Sequence, residues 1–203
     1  MAQNVNLLDL FQSVVGNLKD NQQSLNQADS YNQNHGDNMV EIFEVITQAL
    51  KDRQDANPAD QLEYAAQLLR QKSNSGSAAM YVRGLSEAAS KVTGDSISMD
   101  GALDMLQTLM NGGESAQAPS SDLVGSLLGG LTGGDDDEEA GLDVNDLLGA
   151  GLAFLQSKQE GGSNLDALAD AFVSNSKMGA SEHRAQSGSV VARTVLQMLM
   201  GNN

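Results

Sequence analysis

Cysteine is missing from all 203 residues, which rules out a disulfide framework and a thiolate metal site. Tryptophan is missing too, and four Phe and three Tyr are the only aromatics. The core must therefore be Leu, Val, Ala and Met, a palette that suits close helix packing better than a sheet. Basic residues are scarce: eleven stand against twenty-seven acidic ones, for a formal charge of −16. Such a surface repels a nucleic-acid backbone and an anionic membrane. A phosphate-bearing ligand would need a local exception, such as a helix N-terminus or a metal ion. No apolar run approaches the roughly 20 residues that span a bilayer. No basic region followed by an apolar run marks a signal peptide, so the expectation is a cytoplasmic protein. The length suffices for one domain with a sizeable core.

What the chain does have is helical periodicity from end to end, without convincing period-2 runs. Val5 to Lys19 places Leu7, Leu8, Phe11, Val14, Val15 and Leu18 on one stripe. Met39, Ile42, Phe43, Ile46 and Leu50 form a second. Asn57-Pro58 reads as an N-cap followed by Pro at the first helical position, leading into Leu62, Ala65, Ala66 and Leu69. Further helices are expected over Ser77–Lys91 and Asp100–Met110. Residues 112–142 are rich in Gly, Ser and Asp, with one short apolar segment from Leu123 to Leu131. Gly125, Gly129 and Gly130 would each cost a helix there about 1 kcal/mol. The self-repelling run from Asp135 to Glu139 reads as a solvated loop. A helix is expected from Asp143 to about Lys158, and another opens at the capping-box-like Ser163-Asn164-Leu165-Asp166 and runs through Val173. The last should start near Ser187-Gly188-Ser189 and end at Gly201. The sum is about eight helices in one all-α domain spanning residues 1–203. The methionines from Met99 to Met110 and from Met198 to Met200 fall at helical spacing and read as core filler.

Three polar loops lead into expected helix N-termini, where N–H groups and the helix dipole favour anions. They are His35-Gly36-Asp37-Asn38, Ser73-Asn74-Ser75-Gly76-Ser77 and Gln186-Ser187-Gly188-Ser189. Each is equally an ordinary N-cap, since Ser and Asn are preferred there for local reasons. Only convergence in space would give the three a common purpose. His183 beside Arg184 reads either as a small cationic spot for phosphate or as a surface pair. Nothing in the sequence ties either histidine to an activated nucleophile.

The stretch Asn32-Gln33-Asn34-His35-Gly36-Asp37-Asn38-Met39 resembles the metal loop of the dihydroxyacetone kinase L subunit, and of the related domain of fatty-acid kinases. That family reads Asp-x-Asp-(His or Thr)-Gly-x-Asn-Met, and its aspartates hold the two magnesium ions that bridge nucleotide phosphates. Here the two aspartate positions are Asn32 and Asn34, and Asp29 is the candidate for a third that lies slightly upstream. Ser73-Asn74-Ser75-Gly76-Ser77, followed by Met80, Arg83 and Gly84, is similar to the family's Gly-Asn-Ser-Gly phosphate loop, with Ser73 in place of the Gly. Gly179 to Ala185 looks like a shortened Gly-Arg-Ala segment, and Gln186–Ser189 stands where the family has Asp-Pro-Gly-Ala. The family's Gly-Asp-x-Thr-Met segment keeps little beyond Asp146. The likeness covers about residues 10–92 and 140–200.

The resemblance implies a barrel of about eight antiparallel helices with its phosphate loops at one end. It implies ATP or ADP as ligand, touched by His35, Gly36, Asn38, Met39, Asn74, Ser75, Gly76, Arg184 and Gly188. Asp29, Asn32 and Asn34 would be the metal positions. Asn offers only a neutral oxygen, so magnesium is expected to be weakly held. Asp37 is read either as a relocated ligand or as a first-turn Asp favoured by the dipole. His35 is read either as a phosphate contact or as a structural residue. Two functions follow. One is a nucleotide-binding kinase subunit whose partner protein presents the phosphoryl acceptor. The other is a non-catalytic scaffold or regulatory module that binds a nucleotide, a partner or an apolar molecule, with Leu123–Gly134 suited to a lid. The missing carboxylates strike at charge neutralisation, the main catalytic contribution in phosphoryl transfer.

Overall fold

The computed structural model describes residues 4–113 and 164–201. Among these residues all regular structure is helical. The seven α-helices are α1 (Leu7–Ala28), α2 (His35–Asp52), α3 (Pro58–Lys72), α4 (Gly76–Lys91), α5 (Met99–Met110), α6 (Asn164–Ser174) and α7 (Glu182–Gly201). A 3-10 turn, Lys177–Ala180, joins the last two. The only strand-like pairing among the described residues is a bridge in which the Val5 N–H donates to the Ile97 carbonyl at 2.8 Å. The expected helix at Asp143–Lys158, the Leu123–Leu131 segment, the acidic run and Asp146 lie outside the described residues.

Local chemistry accounts for most helix starts. The side chains of Asn6, Asn57, Ser75 and Ser98 each accept an N–H three residues on, and Pro58 stands at the first helical position after Asn57. Two boundaries depart from the periodicity. α1 continues past Lys19 to Ala28, because Leu25 returns to the buried stripe and is fully covered. α7 begins at Glu182 instead of near Ser187. Its Ser and Gly residues are absorbed into the helix by neighbours. Ser187 Oγ donates to the Arg184 carbonyl at 3.0 Å and Ser189 Oγ donates to the Asp170 carboxylate at 2.7 Å. Gly188 lies where a Cβ would press on Met178 and Val173 at about 3.2 Å. The third expected loop is thus not a loop, and Gly188 is a packing residue inside a helix.

Helices α1 to α5 pack on one another in chain order, and α7 packs on α1, α2 and α5, with α6 alongside it. The space between them is filled by aliphatic side chains around three fully covered rings. Phe11 stacks on Phe43 at 5.9 Å between centroids, and Phe43 meets Tyr81 edge-on at 5.0 Å. Burial raises the Tyr81 pKa, and its hydroxyl finds no partner. Met105 and Met110 are buried, and Met99 and Met198 pack against the core, as the spacing indicated. No helix among the described residues is long and apolar enough to cross a membrane.

Candidate functional site

α1 ends, α2 and α4 begin, and α7 begins at the same end of the molecule. His35 opens α2 and is 4% exposed. Its Nε2 lies 2.9 Å from Ser187 Oγ of α7, and its ring meets His183 edge-on at 4.8 Å. On α7, Arg184 reaches toward α4, and its Nη2 would stand 3.2 Å from a Cβ built on Gly76. Its Nη1 lies 3.6 Å from Met80 Sδ. Segments around 35, 76 and 184 are thereby brought together. Two of the three polar motifs converge as helix starts, and the third region joins them through His183, Arg184 and Ser187 rather than through Gly188.

The electrostatics of the cluster are mixed. Burial, reinforced by His183 and Arg184 and opposed by Asp29, lowers the His35 pKa to about 4, so the ring is neutral at pH 7. Ser187 Oγ also lies 3.0 Å from the Arg184 carbonyl and is fully covered, so the pair offers no exposed nucleophile. Arg184 differs. It makes no ion pair among the described residues, and its Nε is covered without a hydrogen-bond partner. It lies against the positive end of α4, where Ser75 Oγ already accepts the Ala78 N–H at 3.1 Å. Asn74 and Gly76 are exposed beside it. Two positive features therefore face each other, and no acidic side chain among the described residues pairs with Arg184.

The positions that correspond to metal aspartates are committed elsewhere. Asp29 caps the end of α1 and is 5% exposed, and its Oδ1 accepts the Tyr31 N–H at 3.0 Å. That N–H lowers its pKa most. Burial opposes the shift, and the N–H groups of Asn34 and Asn32 and the nearby His183 reinforce it. The Asn34 side chain accepts from Asn38 Nδ2 at 2.9 Å and makes no cap bond. Asn32 is exposed. Asp37 is held from α1 by Asn26 and Gln22 at 2.8 Å each, with Asn26 the larger cause of its lowered pKa. It is a first-turn Asp turned to the neighbouring helix. No three His, Cys, Asp or Glu side chains gather among the described residues.

Two further positions named by the resemblance, Met39 and Gly36, are buried between helices. Met39 is sealed in the core. Gly36 is buried where a Cβ would run into the Gln22 carbonyl of α1. Asn26 Oδ1 accepts the Asp37 N–H at 3.1 Å, which caps α2 from outside its own chain segment. Ser181 has a covered Oγ without a partner, and Gln22 and Asn26 of α1 were given no role by the sequence. Their residue types at helical positions carry no sign of what they face. No family model matches the chain, and neither a curated protein nor a solved structure matches it.

Proposed function

We propose that this protein is a nucleotide-binding domain on a helical scaffold like that of the dihydroxyacetone kinase L subunit, holding ADP or ATP without phosphoryl transfer. One observation carries the reading: a half-covered Arg184 guanidinium, without an ion pair among the described residues, beside the N-terminus of α4, with His183 and His35 next to it. An uncompensated guanidinium is costly, and a phosphate placed between it and the helix end would satisfy both. The order of helix contacts, with α7 returning to α1, supports the barrel that the motif implies. The commitment of Asp29, Asn34 and Asp37 to other bonds supports a domain that has lost transfer. On this reading magnesium enters only with the nucleotide, and a partner protein binds the scaffold without receiving a phosphoryl group from it.

A second reading, a scaffold that binds no nucleotide, draws on Gly36, Met39, Asp37 and Gly188, all of which helix packing explains. An enclosed apolar ligand is less favoured, because Phe11, Phe43 and Tyr81 fill the interior. Calorimetric titration with ADP separates the two. The expected result is binding without magnesium that Arg184→Ala weakens about tenfold or more, the scale of a charge-assisted hydrogen bond. Absence of binding at millimolar ADP would overturn the proposal. Binding that strictly requires magnesium would restore the metal cluster and with it the kinase.

A further inference from the structure

The loop that joins α1 to α2 presents one aromatic ring to solvent. Tyr31 is 92% exposed, the one exposed large hydrophobic among the described residues, in a chain with only four Phe and three Tyr. The loop beneath it is fixed. Asp29 accepts the Tyr31 N–H, and the N–H groups of Asn32 and Asn34 also act on its carboxylate. Gln33 sits in the left-handed region at φ 56°, a conformation that a non-glycine residue adopts at a cost of order 1 kcal/mol or more. Covering a ring on such a loop orders the side chain alone and leaves the backbone beneath it unchanged. Asp29 is also near enough to His183 to feel its charge, and Arg184, next in sequence, reaches the start of α4. The loop that carries the ring leads into His35, whose own ring meets His183 at 4.8 Å, so this loop borders the cationic cluster.

We infer that Tyr31 is the stacking platform for the base of the bound nucleotide, an inference that rests on the phosphate reading above. The charge of the molecule favours this division of labour. At a net −16, further affinity for an anionic ligand comes most readily from a neutral contact, and every nucleobase offers a flat face. Arg184 and the α4 terminus take the phosphates, while Tyr31 covers the base. Base stacking on an aromatic is worth about 1–3 kcal/mol by alanine substitution, which corresponds to a loss of about 5- to 150-fold.

The test compares ADP with inorganic tripolyphosphate, which has no base, on the full chain and on Tyr31→Ala, Tyr31→Phe and Tyr31→Trp. The exposed ring makes few contacts, so all three variants should melt with the parent. The parent is expected to bind ADP more tightly than tripolyphosphate. Tyr31→Ala should lose at least fivefold for ADP and nothing for tripolyphosphate, while Tyr31→Phe and Tyr31→Trp keep ADP affinity. The chain has no tryptophan of its own, so quenching of indole fluorescence by ADP in Tyr31→Trp would report the stack directly. Equal affinity for the two ligands, or an ADP affinity unmoved in Tyr31→Ala, would overturn the stacking role and leave the phosphate site standing. Failure of both ligands to bind the parent would overturn the phosphate site and the stacking role together.

Discussion

His35 shows how one residue type acquires opposite uses from its surroundings. A histidine before glycine in a polar segment suggests a phosphate contact. Here the ring is covered, bonded to Ser187 and set against His183, so it is kept neutral. Its folded pKa of about 4 lies below the unfolded value near 6.5. The unfolded chain therefore binds the proton first as pH falls. The stability that the neutral ring contributes is complete above about pH 6.5 and declines on acidification until about pH 4. Thermal melts should show the midpoint falling between about pH 7 and pH 4.5, and His35→Gln should flatten much of that fall. An identical slope in the variant would contradict this role of His35, because Asp29 and Asp37, whose lowered pKa values act further down the acid limb, contribute little above about pH 4.5.

Among elements, the junction of α1 and α2 was only half legible. The stripe from Leu7 to Leu18 located the first helix, and Asn57-Pro58 and Ser75 marked the starts of α3 and α4. The extension of α1 through a polar run to Ala28 was hidden because Leu25 is its one buried residue after Leu18. Gly36, read as a loop glycine, is instead a point of close approach between helices. The start of α7 was misplaced because Ser187 and Ser189 resemble caps until their partners, Arg184 and Asp170, are known. Such partners lie across the fold or within a helix whose start is hidden, and periodicity cannot supply them. Two glycine substitutions make the distinction measurable. Gly36→Ala forces a methyl into the backbone of α1 and should cost about 1–3 kcal/mol, lowering the midpoint by several degrees. Gly16→Ala, with nothing within 4 Å of the added carbon, should raise stability by up to about 1 kcal/mol. Equal effects of the two would refute the close-packed junction.

For the whole molecule, composition was the most reliable guide. A chain poor in aromatics and rich in Leu, Ala and Met folds as helices, with Phe11, Phe43 and Tyr81 gathered at the centre. The candidate site was legible as motifs but not as geometry. Met39, Gly36 and Gly188 turned inward, while Arg184 reached Gly76 from the far end of the sequence. One end of this acidic molecule is, on the proposal above, a phosphate-binding end. Its most direct test is a titration of isotopically labelled protein with ADP, followed by amide NMR shifts. Dose-dependent shifts are expected at Tyr31, Ser75, Gly76, His183 and Arg184, with Val5, Asp55 and Ile97 at the opposite end unmoved. Shifts confined to that opposite end, or none at millimolar ADP, would contradict the phosphate-binding end.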